Sequence, residues 1–230
     1  MTSKTKAVIA VNTFGVPAAI DDLKQIGLKV IEDCSHGFAL GSGKCIGMLK
    51  GDVAVFSFYA SKLIAGGEGG AVLTNEQCVA DFIKGWRDYT DKQPHGYRLN
   101  DKMTDIEAAL VSSQLERLPE MLSVRARLAG RYNKLLANIA GIKLPSLDLD
   151  RVWYRYVVEL EGHAPEDICQ ALERADISVA RPIEPWDEVD TGIFGVAQNA
   201  WGTVLSLPLY PTLTEQEQDF VCESLKSLVS

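Results

Sequence analysis

The residues best placed to do chemistry lie in Asp52–Asn75, where two strand signals, a glycine-rich loop and the lysine Lys62 fall close together. Lys62 follows Ser61 and precedes Gly66, Gly67, Gly69 and Gly70, whose missing Cβ atoms let a backbone turn sharply or approach a bound group closely. A lysine amine becomes a Schiff-base former when a partly desolvated pocket makes it less basic, and a glycine-walled loop suits that chemistry. Asp33 closes one strand signal and Ser57 another, and open α/β sheets place their ligands at the carboxyl ends of strands. Taken singly, each has a plainer reading: Lys62 a solvated loop lysine, Asp33 a strand-end carboxylate or helix cap, Ser57 a satisfied core hydroxyl, His36 a loop histidine.

Other motifs carry less. Gly41–Cys45 (GSGKC) is no phosphate loop, because that spacing needs glycine at Phe38 and Ser or Thr at Cys45. Cys34 and His36 have no third ligand nearby, and neither a metal site nor a Cys/His nucleophile is expected. The five cysteines are odd in number, scattered and without a CxxC pair, as reduced thiols would be.

The elements that must position these residues alternate. Strands are expected at Ala7–Phe14, Lys29–Cys34, Val53–Phe58 and Gly69–Thr74, with helices at Pro17–Ile26 and Glu76–Trp86. Strand, helix and strand joined by short links signal a parallel sheet. Arg87–Asn100, with Pro94 and Gly96, reads as a loop. Thr104 with Glu107 forms a capping box that starts a helix, Pro119 ends or kinks it, and a longer helix follows with Leu128, Tyr132, Leu135, Leu136 and Ile139 on one face. Beyond Gly141 the pattern changes: Val152–Leu160 alternates as a half-solvated strand, Pro165–Ala175 reads as a helix, Ile177–Ala180 and Val204–Leu209 as strands, and Thr214 with Glu217 caps a final helix. The expected division is a large domain over 1–141 and a small α+β domain over 142–230.

Composition sets the class. The chain has 230 residues, 47% hydrophobic and 23% charged, which suits a globular protein with a sizeable core. A formal charge of −8 argues against nucleic acid or an anionic membrane as partner, since phosphate contacts need basic surface. The start has no signal-peptide pattern and no apolar run approaches membrane-spanning length, so a cytoplasmic location is the default expectation.

Four segments in order, IEDCSHGF (Ile31–Phe38), FSFYASKLIAGGEGG (Phe56–Gly70), YRLNDKMTDIEAAL (Tyr97–Leu110) and LSLPLYPTLTEQE (Leu205–Glu217), resemble the DegT/StrS-type nucleotide-sugar aminotransferases. These are pyridoxal 5'-phosphate enzymes of fold type I. The resemblance implies a fold-type-I large domain with a mainly parallel sheet, truncated at its N-terminal side, followed by the small C-terminal domain. It implies that Lys62 holds the cofactor as a Schiff base and moves the proton between cofactor and substrate. Asp33 then pairs with the pyridine nitrogen, Ser57 contacts the cofactor phosphate and His36 lies close to the ring. Asn100 reaches the phosphate of the neighbouring subunit in a homodimer. The implied reaction moves an amino group, with glutamate as the expected donor, to a nucleotide-linked keto-sugar.

Against the family pattern, a segment preceding Ala7 that carries a phosphate-binding turn, a stacking aromatic and part of the sugar site is expected to be missing. The edges at Ala7–Phe14 and Gly69–Thr74 would then stand open unless a separate polypeptide supplies it. Trp186 and Asp187 stand where the family's histidine-containing substrate segment is expected. The alternative reading is a truncated, catalytically inactive relative serving as a binding or assembly module, or a gene fragment.

Overall fold

The computed structural model describes residues 1–38, 49–88, 99–147, 150–183 and 194–229. They separate into two compact units, Met1–Leu122 with Asp150–Tyr154, and Ser123–Leu149 with Arg155–Ser230.

In the first unit, β1 (Ala7–Val11), β2 (Lys29–Asp33), β3 (Val53–Ser57) and β4 (Gly70–Thr74) form a sheet in that spatial order. The first three are parallel and β4 is antiparallel to β3. Buried Glu32 fixes the approach to β3: its Oε1 accepts the N–H groups of Lys50 and Gly51 at 2.7 and 2.5 Å. Beside it the Asp52 carboxylate accepts Lys29 Nζ at 2.6 Å and the Val30 N–H at 2.9 Å.

One face of this sheet is packed. Ala10 and Val30 meet Ile20 of α1 (Ile20–Gln25), while Ala54 and Phe56 meet Val111, Leu118 and Leu122 of α3 (Asp105–Leu135). The opposite face carries Ile9, Val11 and Val72, respectively 67%, 47% and 42% exposed, aligned by register with half-buried Ile31, Val53 and Val55. Parallel sheets are ordinarily covered on both faces, so this surface is unusually open. An apolar groove of about 600 Å³ lies beside β4 and α2 (Gln77–Arg87), lined in part by Val72, Phe82, Trp86, Leu99 and Met103. β1 and β4 form the two edges of the sheet, as expected.

The second unit holds an antiparallel sheet in the order β5 (Ile142–Lys143), β6 (Tyr156–Leu160), β7 (Val204–Leu207). Its other elements are α4 (Pro165–Arg174), α5 (Gly195–Thr203) and α6 (Glu215–Val229). The C-terminal half of α3 belongs here: Tyr132 Oη donates to the Pro208 carbonyl at 2.9 Å, Gln218 Nε2 donates to the Leu128 carbonyl at 3.0 Å, and Arg131 pairs with Asp219 at 2.8 Å. Burial drives the Tyr132 hydroxyl pKa upward and pushes the Cys222 thiol up to about 11.

Several elements differ from their sequence patterns. The helix runs unbroken through Pro119, which sits on its exposed side, where the carbonyl four residues earlier that it leaves unpaired lies next to solvent. The division expected at 141/142 falls inside the second unit, because Leu128, Tyr132 and Leu136 are buried with it, whereas Arg151–Tyr154 joins the first unit. Only Tyr156–Leu160 of the expected strand 152–160 pairs in the sheet, since the Val152 N–H is drawn to the Gly15 carbonyl at 2.8 Å. β1 stops at Val11, where the chain turns into a short 3-10 segment, Thr13–Gly15. Ile177–Ala180 reduces to one bridge, Ala180 to Ser206, following Asp176 in a left-handed conformation (φ +58°). Gly41–Cys45, Trp186 and Asp187 lie outside the described residues, as does most of the Arg87–Asn100 loop.

Candidate active site

Because β1, β2 and β3 run parallel, their carboxyl ends meet at one edge of the sheet. Register sets Val11, Asp33 and Val55 side by side. Side chains two residues apart on a strand share a face, so Asp33 and Ser57 project from the same face, the open one. The Asp33 carboxylate is held in a tight local turn, with Oδ1 accepting the Ser35 N–H at 2.9 Å. Among the described residues its second oxygen has no hydrogen-bond partner. Ser57 Oγ accepts the Tyr59 N–H at 3.3 Å, and among the described residues its own proton has no acceptor.

The chain leaving β3 folds into the Lys62 loop. The Phe58 N–H donates to Gly69 O at 2.9 Å, the Ala60 N–H to Gly67 O at 3.0 Å and the Gly66 N–H to Phe58 O at 2.7 Å, so the loop is stapled at its base. Gly69 has to be glycine: its φ is +116° and a Cβ there would lie 2.6 Å from Met103 Sδ. Gln114 of α3 clamps the middle, accepting the Ala65 N–H at 3.1 Å and donating to the Ala65 carbonyl at 2.5 Å. Leu63 and Ile64 are buried in the core, so half-buried Lys62 starts from an anchored backbone. Its Nζ lies 5.6 Å from the centre of the Tyr154 ring, and among the described residues it has neither ion pair nor hydrogen bond. Ser35, Ser57 and Lys62 line one small cavity of about 10 Å³, enough for about one water.

His36 is tied into the same assembly. Its ring stacks on Tyr154 with centroids 4.6 Å apart and on Phe14 at 6.0 Å, and its Nδ1 accepts the Phe14 N–H at 3.4 Å. Asn100 is different: it is exposed, accepts Lys102 Nζ at 2.9 Å and bridges to Asp88, away from the strand-end group. Asp33, Ser57, Lys62 and His36 are therefore linked through shared neighbours, and Asn100 is not among them. Sequence reasoning missed three residues that build the site, Asn12, Gln114 and Tyr154, because each acts through contacts far away in sequence and sits in no motif.

A mainly parallel sheet with an aspartate at the end of one strand, a serine at the end of the next and an anchored lysine loop beyond it is the large-domain plan of a fold-type-I aminotransferase. The model of the DegT/DnrJ/EryC1/StrS aminotransferase family matches residues 1–226, and the chain belongs to that family. It is 30% identical to the spore coat polysaccharide biosynthesis protein SpsC of Bacillus subtilis (strain 168), covering 100% of this chain and 68% of SpsC. It is also 30% identical to the dTDP-3-amino-3,4,6-trideoxy-alpha-D-glucose transaminase of Micromonospora megalomicea subsp. nigra, covering 100% of this chain and 67% of that enzyme. The crystal structure of S. venezuelae DesV in complex with a ketimine intermediate superposes with a TM-score of 0.84 at 26% identity, covering 100% of this chain and 67% of DesV. The chain thus spans about two thirds of the length of the relatives it matches.

Enzymes of this family use pyridoxal 5'-phosphate. Among the described residues the donor set fits that cofactor: a carboxylate oxygen on Asp33 without a partner for a protonated ring nitrogen, a Ser57 hydroxyl proton without an acceptor for a phosphate oxygen, and an amine on Lys62 whose contact is with the Tyr154 ring.

Proposed function

We propose that this chain carries the cofactor-holding half of a sugar aminotransferase, transferring an amino group from glutamate to a nucleotide-linked keto-sugar. The observation that carries the reading is that Asp33 and Ser57 end neighbouring strands on one face while Lys62 shares a cavity with Ser57, each with a polar group left without a hydrogen-bond partner among the described residues, in a chain of this family. Pyridoxal phosphate, when bound, supplies the electron sink that stabilises a carbanion next to the transferred nitrogen. Lys62 Nζ would hold the cofactor covalently and, once released, carry the proton to and from the substrate carbon. The carboxylate of Asp33 would keep the pyridine nitrogen protonated, and the hydroxyl of Ser57 would donate to the phosphate. His36, braced by Tyr154 and Phe14, would border the ring. Asn100, whose bonds lie apart from this group, suits a contact to the phosphate of a neighbouring subunit, so the reading includes a homodimer.

The test is the first half of the reaction. Protein loaded with the cofactor and given glutamate should release 2-oxoglutarate, up to one equivalent per bound cofactor, and Lys62→Ala should release none. Equal yields from both proteins would overturn the reading.

The open apolar face on the side of Asp33 favours a second reading, in which the chain is a catalytically inactive relative that serves as a binding or assembly module. Tight cofactor binding by the isolated chain would contradict that reading.

A further inference from the structure

From the hydrogen-bond pattern at the strand ends we infer that Asn12 is the positioning residue for Asp33, a role that rests on the proposed assignment of Asp33 to the cofactor. Asn12 directly follows β1 and is 2% exposed, deeper than Asp33, Ser57 or Lys62. A buried carboxamide is retained where its donors and acceptor are matched, and here they are. Its Oδ1 accepts the Ala18 N–H at 2.9 Å. That bond fixes the orientation of the amide, because the NH2 end cannot accept it. The NH2 end therefore faces β2, donating to the Asp33 carbonyl and to Cys34 Sγ, each at 3.3 Å. The Asn12 backbone N–H donates to the same Asp33 carbonyl at 3.0 Å.

Two donors from one residue thus converge on the carbonyl of Asp33, at the point where β2 ends. Beyond that carbonyl the Cys34 N–H donates to the Val55 carbonyl at 2.9 Å, and the chain then turns, with the Gly37 N–H donating back to the Cys34 carbonyl at 3.0 Å. Asn12 extends the grip of the sheet by one residue. With the Asp33 main chain held, the local bond to the Ser35 N–H sets the side chain, and among the described residues the other carboxylate oxygen is left without a hydrogen-bond partner. Asn12 does not itself line the cavity beside Lys62; its contacts toward the site end on Asp33, whose carbonyl takes two of them, and on Cys34 Sγ, and the route through Asp33 is the one inferred.

The inference has a readout without cofactor. In Asn12→Ala and Asn12→Asp, amide hydrogen exchange at Ser35 should rise by about two- to tenfold, the range set by losing one ordinary hydrogen bond. Exchange in the β3–β4 ladder should stay at the wild-type rate. Exposure of the Ala18 amide with Ser35 unchanged would overturn the inference, leaving Asn12 a tether for α1 alone. General acceleration in one variant would mark a folding defect, and the other then decides.

The second arm measures equilibrium affinity for pyridoxal phosphate by absorbance titration. Asn12→Ala should weaken binding in the wild type and have no further effect in Asp33→Asn, because both changes remove the same interaction. Equal losses in both backgrounds would refute action through Asp33. Should the wild-type chain bind no cofactor at all, the functional reading fails, while the exchange arm still decides the role of Asn12.

Discussion

The backbones of Gly15 and Val152 interlock. The Val152 N–H donates to the Gly15 carbonyl at 2.8 Å, Gly15 sits at φ +83°, and a Cβ on Gly15 would overlap the Val152 carbonyl. Arg151 adds a bond to the Phe14 carbonyl at 3.1 Å. Together these bonds seat Arg151–Tyr154 in the first unit and bring the Tyr154 ring to His36 and Lys62. Gly15→Ala should therefore cost about 3 kcal/mol or more, combining left-handed strain with a backbone clash. At roughly 2–4 °C per kcal/mol for a chain of this size, thermal unfolding should show a drop of at least about 6 °C.

Gln114 reaches the Lys62 loop from α3 and satisfies both backbone groups of Ala65. Gln114→Ala leaves a part-buried N–H and C=O without partners, at a cost of about 1–3 kcal/mol. A lower melting temperature and faster proteolytic cleavage within 59–67 are expected. An unchanged cleavage pattern would mean that the staples at the loop base suffice without Gln114.

The Asp52–Lys29 pair gives the first unit a pH signature. The side-chain hydrogen bond from Lys29, then the Val30 N–H, hold the Asp52 carboxyl below its usual 3.8. A depressed carboxyl stabilises the fold above its unfolded pKa and loses that contribution as pH falls through its folded value. Asp52 in turn raises Lys29 above 10.5, so the pair is intact below that pH and loosens as pH rises through the folded Lys29 value. Asp52→Asn should flatten the fall in melting temperature below about pH 4. The capping carboxylates Glu107 and Glu217, lowered by their bonds to Thr104 and Thr214, act in the same direction and leave a residual slope.

Much of this was legible in the sequence because the signals were local. β2 begins at the expected Lys29 and ends at Asp33, one residue short of the expected Cys34, and both Thr-x-x-Glu boxes close: the Thr104 N–H meets Glu107 Oε2 at 2.9 Å and the Thr214 N–H meets Glu217 Oε2 at 2.7 Å. What stayed hidden depended on partners distant in the chain. α5 has two glycines and no side-chain cap, so nothing in Gly195–Thr203 announces a helix. Tyr154 looks like one beat of an alternating strand until Gly15 claims the backbone two residues before it. Asn12 sits within an expected strand, and its three side-chain bonds exist only once β1, β2 and the start of α1 are assembled.

The open sheet face gives a prediction opposite in sign to a core mutation. Ile9 is 67% exposed, so Ile9→Lys should change stability by less than about 0.5 kcal/mol. If a second copy or another polypeptide covers this face, the same change should weaken that association in sedimentation velocity, because it places a charge in an apolar contact. Unchanged sedimentation at matched concentration would remove the face from consideration as an interface.

One measurement reaches the role of Lys62 directly. The protein is incubated with pyridoxal phosphate, reduced with borohydride, digested and mapped by mass spectrometry. A stoichiometric phosphopyridoxyl adduct on Lys62, absent after Lys62→Ala and much reduced after Asp33→Ala, is the predicted result. An adduct spread over surface lysines in proportion to their exposure, with Lys62 no different from Lys102 or Lys143, would contradict it.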